Sequence, residues 1–474
     1  MMINEQLFKV GFTNLDKETD NVPLQVSGSI PGWLSGTLFR NGPAKFTTDS
    51  GWHTHWFDGL AMIHKFVIAG GQVRYSNRFL RTKAYELAMT TGELGSGFGS
   101  SAGKQVQGGN NTNVSIGKID DRFVALTESP GVIEFDPHTL ETNGVFEFGD
   151  GFGGHFTTAH PHYDLTTGRY INFTVQFGKA STYHLYSIAP HSRKRELMCT
   201  VETAEPSYIH SFGNTEHYVI LAEFPFVVNP QEMMTSGKSF IENFRWKPEQ
   251  GTKFFVVRKS DGALVKTFEG EAFFSFHHVN AFEYDGGLVL DVCASRNANI
   301  VGSLQVSKLT DSSAGDRNPV QFRRYTLPFT STTARYEILT PESVDLPTVN
   351  YAKFSGTAYR YAYGISTSNE HPEKYANQLV KVDTVSGESK IWREPGCYPG
   401  EPIFSEKPLA SKEDEGVILS VVLDGAKGSS FLLILDAQTF TEIGRAAVPH
   451  HVPFGFHGMF TDELFEQKQE LAAN

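Results

Sequence analysis

Short apolar runs separated by turn residues repeat almost from one end of the chain to the other. RFVALTE is followed by GVIEFDPHTLE, GRYINFTVQF by TYHLYSIAP, and HYVILAEFPFVV by KFFVVRKSDGALVKTFE. GGLVLDVCA, YRYAYGIS, QLVKVDTVSGESKIW and GVILSVVLD with SFLLILDAQTFTEIGR continue the series. Runs of this length, rich in Val, Ile, Phe and Tyr, predict β-strands. Several hairpins share one plan: a strand, an Asp-led turn and an outgoing strand. Asp136-Pro137-His138, Lys259-Ser260-Asp261-Gly262, residues 383–387 and Asp436-Ala437-Gln438 all follow it. Asp accepts local backbone hydrogen bonds at such turns, and Gly permits positive φ. Recurrence of the unit predicts radial repetition, an all-β propeller rather than a sandwich, with a blade number that the degenerate repeats leave open. Short helices are predicted at 82–90 (TKAYELAMT) and 461–471 (TDELFEQKQEL), the second with Asp462 and Glu463 where the helix dipole favours acid. Segments 92–111 and 309–318 read as loops leaving a propeller face, so residues 1–474 are expected to form one domain.

Composition adds a core rich in Phe (38 residues) and many turns rich in Gly (45). The net charge of −12 comes from interspersed acids and bases, without the basic stripe that nucleic-acid binding requires. Cys199, Cys293 and Cys397 are too scattered for a disulfide framework or a CxxC metal site, which fits a reducing compartment. The opening MMINEQLFKVGF lacks the basic start and apolar centre of a secretory signal. No apolar run approaches the ~20 residues that span a bilayer. The expected location is therefore cytoplasmic, with peripheral membrane attachment left open.

Four of the 17 histidines stand apart from the rest. His160 lies in TTAHPHYD, His210 in PSYIHSFGN, His277 in FFSFHHVNAFE and His457 in VPFGFHGMF. In such apolar surroundings an imidazolium is costly, whereas a neutral imidazole on a metal is not. Their separations of 50, 67 and 180 residues exclude a local zinc-finger clip and suit delivery by different blades to a common axis. Four imidazoles favour iron, copper or zinc over magnesium or calcium. Acids embedded in apolar segments, Glu128, Asp345 and Glu401, are candidates to accept the second ring N–H of these histidines, or else exposed strand-end acids.

These motifs resemble the carotenoid cleavage oxygenases, most closely the animal-type β-carotene oxygenases and the retinoid isomerohydrolase branch. The resemblance runs from GTLFRNGPAKF and HWFDGLAMIHKF through NRFLRTKAYELAMT, TAHPHYD, PSYIHSFG and FHHVNAFE to LPTVNYAKFSGTAYRYAYG and FGFHG, about residues 36 to 460. It implies a seven-bladed β-propeller capped by loops and short helices over the metal-bearing face. It also implies an Fe(II) centre held by His160, His210, His277 and His457, with no ligand role for His162 or His278. Glu128 and Glu401 match two of three family carboxylates that orient the ligands. Asp345 stands where the third is normally Glu, so either the backbone comes closer, a water bridges, or Glu342 substitutes. The implied reaction uses dioxygen, without a reductant, to split one alkene of a carotenoid or apocarotenoid into two carbonyl products.

Stilbene-cleaving members place Lys and Tyr where this chain has Thr127 and Phe98, so an apolar polyene is the expected substrate and these two residues its candidate contacts. The polar SSAGKQVQGGNNTN replaces the apolar, Cys-containing insertion of membrane-bound members. A second apolar stretch, 224–246, is a candidate tunnel mouth at a bilayer surface or, equally, a loop packed on its own domain. No obligate protein partner is inferred. Two alternatives keep the fold: retinoid isomerisation, and a non-catalytic propeller scaffold, which would be expected to have lost one of the four histidines.

Overall fold

The computed structural model describes residues 7–48, 51–93, 95, 97–100, 111–311 and 319–464. Within them, strands form seven antiparallel sheets of four or more strands, the blades of a propeller, and two small ribbons. Blade 1 runs from Thr19–Pro23 at its outer edge through Gln72–Phe79, Leu60–Ala69 and Gly36–Lys45 to Gly458–Thr461 at its inner edge. Blade 2 spans Ser115–Ile119 to Thr142–Val145, blade 3 Phe156–Thr157 to Arg195–Thr203, and blade 4 Gly213–Asn214 to Leu264–Gly270. Blade 5 spans Phe274–Tyr284 to Arg335–Ser343, blade 6 Asp345–Thr348 to Ser389–Trp392, and blade 7 Cys397–Pro399 to Glu442–Ala447. The chain ends close the ring. Gln25–Gly28 pairs with Glu442–Ala447 on the outer edge of blade 7, while Gly458–Thr461 pairs with Gly36–Lys45 in blade 1. Blades 1 and 7 are thus each completed by a strand from the opposite end of the chain, which ties the ring shut.

The Asp-led turns form as the sequence predicts. Asp136 Oδ1 accepts the N–H of His138 and Thr139 at 2.7 and 2.8 Å, and Asp436 Oδ1 those of Gln438 and Thr439 at 3.0 and 2.7 Å. In both, the residue four positions on, Leu140 or Phe440, takes a left-handed φ of about 61° or 62°. That conformation costs a non-glycine residue roughly 1–2 kcal/mol. Burial of each side chain, 1% and 3% exposed, stabilises by about 2 kcal/mol and holds the turn.

The helix expected at 82–90 is Lys83–Thr91, with the Thr82 hydroxyl accepting from Tyr85 N–H and Gly92 left-handed at its end. The helix expected at 461–471 is displaced: Thr461 ends the inner strand of blade 1, helix begins only at 463–464, and residues from 465 lie outside the described residues. Leu309, expected in a loop, lies in the short helix Val306–Thr310, because Val306 and Leu309 bury their side chains against the aromatic cluster around Trp56. Much of SSAGKQVQGGNNTN falls outside the described residues.

Segment 224–246 packs on its own domain, one of the two placements the sequence left open. Phe224, Phe226, Val227, Val228 and Phe244 are buried, and Phe226–Val227 pairs with Arg245–Trp246. Phe240 stacks on Phe156 at 5.5 Å. The aromatic residues serve the core, and of the apolar side chains named there only Met234 is largely exposed, at 84%. Among the described residues no helix is long and apolar enough to cross a membrane.

Candidate metal centre

Each blade contributes one residue to a cluster at its inner edge. His160 lies between Phe156–Thr157 and His162–Tyr163 of blade 3, and His210 just before Gly213–Asn214 of blade 4. His277 is on the inner strand of blade 5, and His457 immediately precedes Gly458–Thr461 of blade 1. Blades 2, 7 and 6 supply Glu128, Glu401 and Asp345. The strand carrying His277 shifts register on either side of His278, and such bulges re-aim side chains.

The four imidazoles converge so that one ligand atom from each lies within 4.8 Å of the others. Nε2 of His160 and His210 are 3.0 Å apart, and Nε2 of His277 and His457 are 3.2 Å apart. An ion about 2.1 Å from each nitrogen spaces neighbouring ligands by roughly 3 Å, so one transition-metal ion fits the cluster.

The Nδ1 atoms face outward. His210 Nδ1 lies 2.5 Å from Glu128 Oε1, His277 Nδ1 2.6 Å from Asp345 Oδ1, and His457 Nδ1 2.7 Å from Glu401 Oε1. Donation of Nδ1–H to these carboxylates leaves the Nε2 lone pairs directed at the shared point. Among the described residues no carboxylate is hydrogen-bonded to His160. Burial, reinforced by the neighbouring imidazoles, holds His160 and His210 well below the ordinary imidazole value, and burial takes His457 down to about 4 against the pull of Glu401. All three are neutral at pH 7, as ligation requires.

The three carboxylates are supported differently. Burial pushes Glu128 up to about 8, opposed by the Tyr208 hydroxyl, which donates to Oε1 at 2.7 Å. Burial also acts to raise Glu401, but His457 and Arg40 outweigh it and hold the acid below its usual range. Asp345 is held low in the same sense by His277. It reaches its histidine directly. The strand shifts register between Asp345 and Thr348, and Leu346, at φ 44°, donates its N–H to Asp345 Oδ1 at 2.9 Å. The shorter acid therefore meets the imidazole without Glu342 in its place. Glu342 instead accepts from Gln378 Nε2 at 3.2 Å and Asn369 Nδ2 at 3.4 Å. We expect Asp345→Ala to weaken metal binding about 10–100-fold and Asp345→Asn, which keeps an acceptor, to weaken it less. Chelator competition measures both, and unchanged affinity in the alanine variant would remove Asp345 from the site.

His210, His277 and His457 open onto a cavity of about 1240 Å³. Phe57, Phe276 and Phe456 form an aromatic wall beside them, with Phe276 5.1 Å from His210 and Phe57 5.0 Å from Phe456. Trp56, Ile300 and Leu304 extend it, while Arg296, Lys308, Glu342 and Lys374 add charge elsewhere on the lining. Phe98 sits one layer back, its ring 5.1 Å from Phe57 and 5.4 Å from Tyr208. Neither Phe98 nor Thr127 is among the described residues that line the cavity. His162 bonds the Phe212 carbonyl at 2.9 Å, and His278 the Ser211 hydroxyl at 2.7 Å. Sequence reasoning passed over Tyr208 and Arg40, although both lie in motifs it used. The available signal was a polar group inside an apolar strand, which implies a buried partner.

Comparison with known proteins agrees with this geometry. The family model described as Retinal pigment epithelial membrane protein matches residues 12–462. Carotenoid-cleaving dioxygenase, mitochondrial, of Macaca fascicularis is 32% identical over 94% of this chain and 93% of its own. Beta,beta-carotene 15,15'-dioxygenase of Gallus gallus is 31% identical over 94% and 97%. Among solved structures, a variant of Synechocystis apocarotenoid oxygenase superposes with a TM-score of 0.88 at 26% identity, covering 97% of this chain and 99% of that one. A cobalt-substituted form of the Synechocystis protein gives 0.86 at 26% over the same shares. The chain, with its seven blades and converging histidines, belongs to the retinal pigment epithelial membrane protein family of carotenoid oxygenases.

Proposed function

We propose that the protein is a non-haem Fe(II) dioxygenase that cleaves one carbon–carbon double bond of a carotenoid or apocarotenoid. The observation that carries this reading is the convergence of four imidazole ligand atoms beside the aromatic wall of a cavity of about 1240 Å³. His160, His210, His277 and His457 would hold the ion, oriented by Glu128, Asp345 and Glu401. Four neutral nitrogen donors suit a borderline divalent metal, and on a six-coordinate ion they leave two positions open. When bound, the iron supplies electrophilic activation of dioxygen toward an electron-rich alkene. The remaining work belongs to the chain. Phe57, Phe276 and Phe456 exclude water beside the histidines, and the cavity walls fix which alkene lies there. One alkene and one dioxygen give two carbonyl groups, so the reaction balances without a reductant.

Incubation with β-carotene and a series of apocarotenals should consume one dioxygen per bond cleaved and yield paired carbonyl products, with about one iron per chain by metal analysis. Product formed anaerobically, or conversion without oxygen uptake, would replace cleavage by isomerisation. Protein that retains no metal would point to a scaffold.

A further inference from the structure

We infer that Arg40 is a positioning residue for the metal centre, locking both the backbone and the ring of His457 with one guanidinium. The inference rests on the metal reading of the four imidazoles. Arg40 lies on Gly36–Lys45, the strand next to the inner edge of blade 1, paired with Gly458, and is 5% exposed. Its Nη1 donates to Glu401 Oε2, and its Nη2 donates to the Phe456 carbonyl at 2.7 Å. Glu401 Oε1 meets His457 Nδ1 at 2.7 Å, and Glu401 Oε2 also accepts the Gly458 N–H at 2.9 Å. The residues before and after His457 and its imidazole are thus tied into one network around Arg40 and Glu401.

Two features show that the fold makes room for this side chain. A Cβ on Gly458 would stand 2.1 Å from the Phe39 carbonyl oxygen and 2.7 Å from Arg40 Cδ, so both the strand pairing and the path of the Arg40 side chain exclude one there. Among the described residues the other two ligand-orienting acids have no such cation: Glu128 takes a Tyr208 hydroxyl and Asp345 a backbone N–H. The planar guanidinium offers the two donors in a fixed fork, whereas an ammonium would have to reach both acceptors from a single nitrogen.

The test uses Co²⁺ binding by the full chain, read as Kd in chelator competition and as the visible d–d spectrum of the bound ion. Arg40→Met is expected to weaken binding about 10–100-fold and to shift the spectrum, with Arg40→Lys intermediate. In a Glu401→Gln background the effect of Arg40→Met should shrink to a few-fold, because its main route to His457 is already cut. A folded Arg40→Met protein with unchanged Kd and spectrum overturns the inference, as does a full effect persisting in the Glu401→Gln background. Should Arg40→Met fail to fold, Arg40→Lys decides: unchanged Kd and spectrum there overturn it equally. Failure of the unsubstituted protein to bind Co²⁺ would instead overturn the metal reading.

Discussion

His277→Ala should leave the protein folded but strip it of metal and reduce alkene cleavage to background, whereas His278→Gln, one residue away, should keep about one metal per chain. The two side chains differ in what they face. His277 directs Nε2 to within 3.2 Å of His457 Nε2 and Nδ1 to Asp345 at 2.6 Å. His278 turns away to Ser211 and presents no ligand atom to the cluster. Loss of an outer partner typically costs 10–100-fold in affinity, so loss of a ligand should exceed about 100-fold. It would also leave Asp345 Oδ1 with the Leu346 N–H but without its imidazole donor, which adds to the cost. Metal analysis after dialysis, with product formation under saturating substrate, measures both variants. Equal metal content in the two would separate the cluster from metal binding.

The contrast between these neighbours shows how far sequence alone reaches. Both lie in FFSFHHVNAFE, and strand alternation predicts that they face opposite sides without saying which side is the axis. The register shifts around His278 decide it, and bulges leave no trace in a period-two pattern. Asp345 is a similar case. The sequence shows an acid one methylene shorter than the family's but not its distance, which is 2.6 Å to His277 beside a left-handed Leu346 and a register shift. The propeller itself was legible because the hairpins repeat, but the blade count was not. Blades 1 and 7 are each completed by strands from the opposite end of the chain, a pairing that no local pattern encodes. Segment 224–246 stayed undecided in the sequence because hydrophobic residues in an irregular stretch look the same whether they face lipid or core. Strand pairing of Phe226–Val227 with Arg245–Trp246 sends them inward.

The metal-free protein should lose stability steeply on acidification from pH 6.5 toward 4, and the buried histidines are the cause. His278 is the clearest. Ser211 Oγ donates its hydrogen to the Phe276 carbonyl at 2.6 Å, so His278 Nδ1 must donate to Ser211 Oγ, leaving Nε2 deprotonated. That Nε2 is buried and has no hydrogen-bond partner, so a second proton would place an N–H against no acceptor. Burial, with the nearby imidazoles adding, takes its pKa down to about 3; burial takes that of His457 to about 4 and sets His64 well below 6.5. Above pH 6.5 these groups are neutral in native and unfolded chains alike. Below it the unfolded chain binds protons that the native state refuses, so stability falls with pH until the native groups titrate in turn. At about 1.4 kcal/mol per pH unit, His278 and His457 each remove roughly 3 kcal/mol by pH 4.5. Together they approach the 5–15 kcal/mol that holds a typical domain folded. Urea midpoints of the metal-free protein between pH 7.5 and 4.5 measure the effect, and His278→Gln should flatten the profile by up to one proton's worth. Bound metal should raise the midpoint at neutral pH but leave it falling at least as steeply, because it keeps protons off the native ligand nitrogens while the unfolded chain still binds them. A midpoint that stays level down to pH 4.5 would mean that these imidazoles find acceptors and charge in place.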